Sequence, residues 1–178
     1  RPKMEDIMLT WTLIFFALSR LPDAIASARR AVAINPKSDA SQARLGQALV
    51  ADGHLEEGRR ALEQAVALRP RDAGYHFHLG AALYQLGAYG EAIPHLALVA
   101  ERGSGNPQLD LLASYYLARS LEQRGGTDEA TAAYERMRRH ANALPGLQQD
   151  LSQAPDYPAL AALRRDVAAI AQRLGKAG

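Results

Sequence analysis

The sequence predicts an all-α fold, a solenoid of helix–turn–helix units stacked side by side, and three observations carry that prediction. The first is a repeat interval of 34 residues. Pro36 and Pro70 stand 34 apart, as do Leu45 and Leu79, Gly46 and Gly80, Leu49 and Leu83, Gly53 and Gly87, and Leu62 and Leu96. A fixed period of this size marks stacked units, none of which buries its apolar face alone. The second is apolar spacing near three and four within each unit, with no alternating run long enough for a strand. The third is composition: Ala, Leu and Arg abound, which favours helix. With 178 residues, 48% hydrophobic and 22% charged, the chain can build one continuous core.

The units follow in order. Residues 5–38 form the first, because Trp11, Leu45 and Leu79 keep the step of 34, as do Ala24, Gly58 and Ala92. Phe15, Ala28, Ala31 and Pro36 complete its register. Residues 39–72 form the second, two helical segments around Asp52-Gly53-His54, with Leu45, Leu49, Leu55, Leu62, Ala65, Val66 and Leu68 as the apolar set. Residues 73–106 repeat this around Gly87-Ala88-Tyr89. Ser38 and Asp72 hold equivalent positions and are good N-cap types, while Pro36 and Pro70 stop the preceding helices.

A fourth unit, residues 111–142, follows after a slip. Leu79 with Leu117, Leu83 with Leu121, Gly87 with Gly125, Ala92 with Ala130 and Leu96 with Tyr134 are each 38 apart, the period plus four. The insertion lies within Glu101–Asp110, whose Gly103-Ser104-Gly105-Asn106-Pro107 run predicts a lengthened loop. Residues 143–157 read as an irregular linker with one short helix near 147–152. Residues 158–175 predict a capping helix. Leu160, Leu163, Val167, Ile170 and Leu174 are spaced 3, 4, 3 and 4, with Arg164, Arg165, Asp166, Gln172 and Arg173 on the other side. Pro158 suits its first turn and Gly175 its stop.

Small residues recur where two helix backbones must approach: Gly46, Gly80 and Ala118 on first helices, and Gly58, Ala92 and Ala130 on second helices. Glycine inside a helix costs about 1 kcal/mol relative to alanine. Gly58→Ala is therefore expected to stabilise the chain. Leu45, Leu79 and Leu117 are expected to be buried.

The first helix is unusual. Ile7, Met8, Leu9, Trp11, Leu13, Ile14, Phe15, Phe16, Ala17 and Leu18 leave almost no polar face. The repeat register accounts for Met8, Trp11, Phe15 and Phe16. It leaves Ile7, Leu9, Leu13, Ile14 and Leu18 as an N-terminal docking patch for another subunit or a partner's helix. About twelve residues reach ~18 Å, short of the ~30 Å of a bilayer's hydrocarbon, so membrane contact is open but spanning is not expected. A secretory signal is the rival, with Arg1 and Lys3 before the run and Ala24-Ile25-Ala26 as a small-residue cleavage site. Glu5, Asp6 and the unbroken repeat oppose it.

Charge and chemistry exclude much. The formal net charge of +2 gives no strong field for nucleic acid. The doublets Arg29-Arg30, Arg59-Arg60, Arg138-Arg139 and Arg164-Arg165 fall mostly on second helices among acids and read as a solvated face. No cysteine is present, and the five histidines (His54, His76, His78, His95 and His140) contain no pair spaced to share an ion on a helix. Glu56-Glu57 and Asp128-Glu129 open second helices, where the helix dipole favours acids. No catalytic constellation, metal site or cofactor is expected.

The pattern resembles the tetratricopeptide repeat. The second unit supplies Leu45, Gly46, Leu49, Gly58, Leu62, Ala65 and Pro70; the third His76, Leu79, Gly80, Leu83, Ala92, Leu96 and Val99; the fourth Leu117, Ala118, Leu121, Ala130, Tyr134 and Met137. The resemblance covers residues 5–142, about four repeats, and implies a right-handed α-solenoid whose concave groove holds a partner peptide or helix. First-helix positions then line the groove: Arg44, Gln47 and Val50; Phe77, His78, Ala81 and Tyr84; Tyr115, Tyr116, Arg119 and Glu122. Aromatic anchors beside arginine are the types that dominate interface energies. The lysine–asparagine clamp of members that bind chaperone tails is missing, since Leu9, Ala43, Phe77 and Tyr115 hold the lysine-type position and Leu13, Gln47, Ala81 and Arg119 the asparagine-type one.

The function expected is a non-enzymatic protein–protein interaction scaffold or assembly factor. Its groove would take a partner segment, and its apolar N-terminal helix would dock to a second copy or a larger complex. The alternative is a non-catalytic repeat segment or accessory subunit of a larger enzyme or membrane-associated complex. The cytoplasm is favoured over the periplasm or a membrane surface.

Overall fold

The computed structural model describes residues 20–154 and 158–176, within which all regular structure is helical. The segment holding Ile7, Leu9, Leu13, Ile14 and Leu18 lies outside the described residues. In order come α1 (Leu21–Ile34), α2 (Asp39–Ala51), α3 (Leu55–Leu68), α4 (Ala73–Gln85), α5 (Tyr89–Arg102), α6 (Pro107–Gln123) and α7 (Thr127–Arg139). A 3-10 turn at Ala141–Ala143 leads to α8 (Leu144–Gln153), and α9 (Pro158–Gly175) is the last helix of the described residues.

Local chemistry explains the boundaries. The Ser38 hydroxyl accepts from the Ser41 amide at 3.2 Å, and the Asp72 carboxylate from the Tyr75 amide at 3.1 Å, capping α2 and α4. α1 and α3 stop at Ile34 and Leu68, two residues before Pro36 and Pro70. Within units two to four the turn passes through Gly53, Gly87 and Gly125 at φ 85°, 74° and 80°. A Cβ at any of these would meet nothing within 4 Å, so the left-handed backbone, not space, demands glycine.

From α1 to α7 each helix packs on the next in chain order, and the first helices α2, α4 and α6 also touch one another in series. They form one row of the solenoid, and α1, α3, α5 and α7 form the other. Leu62, Leu79, Leu83, Leu96, Leu111 and Leu117 are buried between the rows, and Leu45 with them. The solenoid expected from the 34-residue period is therefore the fold observed.

The four-residue insertion is handled differently from the expectation. α5 runs to Arg102, and α6 begins at Pro107 instead of the register position 111, so the insertion becomes an extra first turn of α6. Asn106 caps that turn through the amides of Gln108 and Leu109, and Pro107 sits at its first position. Asp110, buried, accepts from the Ser104 amide at 2.8 Å and its hydroxyl at 2.7 Å, which folds the short connection back onto the helix.

At the C-terminal end, α8 buries Leu144, Leu147 and Leu151 and packs on α6 beside the fourth unit. α9 buries the apolar stripe seen in the sequence, and what it covers extends well beyond that unit. Leu160 shares an apolar cluster with Leu21, Ile25, Leu45, Ala48, Leu49 and Ala61. Val167 and Ile170 share one with Phe77, Tyr115 and Tyr116, and Leu163 packs on both. Near its end, Arg173 reaches Glu122 of α6 at 3.4 Å. This 18-residue helix, about 27 Å long, thus runs lengthwise from the second unit to the fourth.

The glycine expectation changes sign. A Cβ at Gly58 would lie 2.6 Å from Val50 Cγ2, 3.0 Å from the Gly46 carbonyl oxygen and 3.1 Å from the Val50 amide nitrogen. Two of those neighbours are backbone, and the third belongs to a stiff β-branched side chain. Overpacking costs about 1–3 kcal/mol, against about 1 kcal/mol regained in helix propensity. Gly58→Ala should therefore lower the melting temperature. A rise would show that α2 and α3 can separate freely.

Candidate functional site

The inner face of the first-helix row is where the sequence places a binding groove. Residues at steps of four and seven along α4 and α6 come to one side of each helix, which aligns Phe77, Ala81 and Tyr84 beside Tyr115, Arg119 and Glu122. The aromatic rings meet across the two helices. Tyr116 lies 4.8 Å from Tyr84 and 6.5 Å from Phe77, ring centre to ring centre, with Tyr115 5.8 Å away.

The individual residues differ in access. Arg44 is exposed and Gln47 half-buried at the second-unit end. Phe77 and Tyr115, expected as groove anchors, are only 6% and 5% exposed, buried in the chain's own core. Tyr84, Arg119 and Glu122 keep partial exposure. Tyr116 anchors the ladder from a buried position, and its hydroxyl donates to Asp166 of α9 at 3.2 Å.

Electrostatics follow from this covering. Burial raises the Asp166 carboxyl above its ordinary range, opposed by the Tyr116 hydrogen bond and by Arg165 and Arg119. Burial, then the Asp166 charge, pushes Tyr116 well up. Glu122 takes two arginines, Arg119 of its own helix at 3.0 Å and Arg173 of α9 at 3.4 Å. Arg173 also stands 3.6 Å over the Tyr134 ring of α7, a cation–π contact. The Nε of Arg119 and the hydroxyl of Tyr134 are buried without a hydrogen-bond partner among the described residues.

The histidines behave as packing groups. His76 Nε2 lies 2.9 Å from the Pro70 carbonyl, to which it must donate, so its Nδ1 accepts from His95 Nδ1 at 2.8 Å. That contact was not legible in the sequence, because the 19-residue separation spans two helices. Burial, reinforced by His76, lowers the His95 pKa. His78 is partly exposed as a residue, yet its imidazole, 5.3 Å from the Phe77 ring, is desolvated enough to bring its pKa to about 4. Among the described residues no three metal-binding side chains converge. On the opposite row, Arg29 pairs with Glu57 at 2.8 Å and Arg59 with Glu56 at 3.0 Å.

These features define a helical-repeat protein, a class whose stacked units serve protein–protein contact. The sequence model of the tetratricopeptide repeat matches residues 43–107, the stretch from α2 to the start of α6. Two curated relatives are peroxisomal targeting signal receptors. That of Candida glabrata is 30% identical over 91 residues and that of Eremothecium gossypii 29% over 91. Each alignment covers 51% of this chain, and the chain spans 15% and 16% of the two receptors. Among solved structures, MamA aligns with TM-score 0.63 at 18% identity over 88% of this chain and 87% of its own. YrrB, described as a repeat protein with an unusual peptide-binding site, gives 0.63 at 16% over 89% and 78%. PilF of Pseudomonas aeruginosa gives 0.65 at 17% over 100% and 79%. At these identities the structural likeness is one of fold.

The histidines yield a pH prediction. His78 and His95 have folded pKa values below the unfolded 6.5, so their contribution is complete above pH 6.5 and is lost as pH falls toward the folded values. Because each imidazole takes up one proton, the slope is at most about 1.4 kcal/mol per pH unit for each. Urea denaturation at pH 7 and pH 5 should show lower stability at pH 5, and His95→Gln should flatten the difference. An unchanged midpoint would mean that both imidazoles protonate freely in the fold.

Proposed function

We propose that this chain is a non-enzymatic scaffold or assembly factor that receives a helical segment of a partner along its first-helix row. The observation that carries this reading is the aromatic and charged lining of α4 and α6, Tyr84, Tyr115, Tyr116, Arg119 and Glu122, on a row of tetratricopeptide repeats. Large rings beside arginine supply contact area at low entropic cost, together with orienting hydrogen bonds. Arg44 and Gln47 extend the same face toward the second unit. The relatives support the class of function, since YrrB is described by its peptide-binding site and the two curated relatives as peroxisomal targeting signal receptors.

The test is a crosslinking recovery from the native source. The chain is compared with a Tyr84→Ala, Tyr115→Ala, Arg119→Ala variant whose helical content by circular dichroism is unchanged. Specific partners should fall at least tenfold with the variant. Equal recovery would remove the groove from the function.

The apolar N-terminal segment is the second contact in this proposal. Ile7, Leu9, Leu13, Ile14 and Leu18 would dock to another subunit or complex, leaving this chain an accessory part of a larger assembly. Ile14→Lys with Leu18→Lys should then reduce the assembled mass in analytical ultracentrifugation. Unchanged mass together with unchanged vesicle binding would retire the patch.

A further inference from the structure

The groove-lining face is already covered, and the cover is part of the same chain. α9 lies along the first-helix row with its apolar stripe inward. Leu160 sits in the cluster built by α1, α2 and α3, and Val167 and Ile170 in the one that holds Phe77, Tyr115 and Tyr116. Its polar groups are matched one by one. Asp166 receives the Tyr116 hydroxyl at 3.2 Å, Arg173 reaches Glu122 at 3.4 Å, and Arg164 donates to the carbonyls of Leu151 and Ala154 at 3.4 and 3.0 Å. A helix seated by an apolar stripe, one carboxylate and one arginine is bound as a ligand helix is bound in a groove.

The way α9 is attached differs from the way the repeats are held. The helices of the stack approach one another closely along their lengths, whereas the backbone of α9 comes close chiefly to α8. Bulky side chains of α4 and α6 stand between it and the row it covers. The outward face carries Ala161, Ala162, Arg165, Ala168 and Gln172, all exposed. Covalent tethering gives such a helix an effective concentration of the order of millimolar, enough to exclude weaker ligands without an irreplaceable contact.

We propose that α9 is an internal occupant of the groove, and that the groove's partner is an amphipathic helix of the same pattern that enters by displacing it. This rests on the groove reading above and specifies the ligand. That ligand carries apolar residues at alternating steps of three and four, a carboxylate immediately before one of them, and an arginine seven residues after the carboxylate, as Asp166, Val167 and Arg173 do. Tyr116 reads the carboxylate, and Glu122 with Tyr134 reads the arginine.

The probe is a fluorescent peptide with the sequence of residues 158–175, titrated into the 178-residue chain by anisotropy. In a Val167→Asp, Ile170→Asp variant of the same 178 residues the internal helix is released, and the peptide should bind at least tenfold tighter than to the unsubstituted chain. Adding Phe77→Ala and Tyr116→Phe to the released variant should abolish that gain. Equal binding to both chains, or none to either, overturns the proposal.

A second measurement on the unsubstituted chain decides the matter if the released variant does not fold. Millimolar peptide should speed hydrogen exchange of the α9 amides while those of α4 and α6 keep their protection. Unchanged α9 exchange overturns displacement. A dimer of the unsubstituted chain that becomes monomeric in the released variant would make the occupant a second copy's α9, which also overturns the proposal. Failure of the peptide, with partner recovery still dependent on Tyr84, Tyr115 and Arg119, removes the internal occupant and leaves the groove. Peptide binding without such recovery does the reverse.

Discussion

The close approach of first and second helices within each unit is the constraint on which everything else depends. In the second unit the two backbones meet at Gly46 and Gly58. A Cβ on Gly46 would lie 2.5 Å from Leu62 Cγ and 3.0 Å from the Gly58 carbonyl oxygen. In the third unit Gly80 faces Leu96 in the same way, 2.7 Å from two of its carbons. These contacts set the spacing between rows, and Leu62 and Leu96, at 1% and 0% exposure, fill what the missing side chains leave. Widening any one crossing would tilt its unit against both neighbours, because a stack has only nearest-neighbour contacts to absorb the change.

This constraint also separates what the sequence shows from what it hides. Period, turn glycines, capping residues and buried leucines are local properties, and each appears in the order of residues along the chain. The sign of Gly58→Ala is not local. Helix propensity is read from one helix, but the clash belongs to Val50 and Gly46 on another. The insertion shows the same division. Gly103 to Pro107 spells a loop in isolation, yet Asn106 and Pro107 are also the start of a helix, and the structure uses them that way.

The candidate site was the least legible part for a related reason. The stripe from Leu160 to Leu174 states that one face of α9 is buried and leaves open against what. The decisive pairs, Tyr116 with Asp166 and Glu122 with Arg173, are separated by 50 and 51 residues, and no periodic signal links them. Phe77 and Tyr115 have the composition of an interface and the burial of a core. Both descriptions hold for a surface covered by the chain's own helix.

The polar contacts of α9 are better understood as specifying its seat than as stabilising it. Burial raises the Asp166 carboxyl even with the Tyr116 hydroxyl and nearby arginines favouring its charged form, so desolvation outweighs those contacts. Glu122 and Arg173 are both partly exposed, where an ion pair contributes ~1 kcal/mol or less. The apolar stripe therefore supplies most of the hold, and a stripe alone would let the helix slide by a turn along the aromatic row. Asp166 at Tyr116 and Arg173 at Glu122 fix one register, since a shift of one turn would break both pairs at once. A groove that selects register through two polar pairs can distinguish helices whose apolar faces are alike.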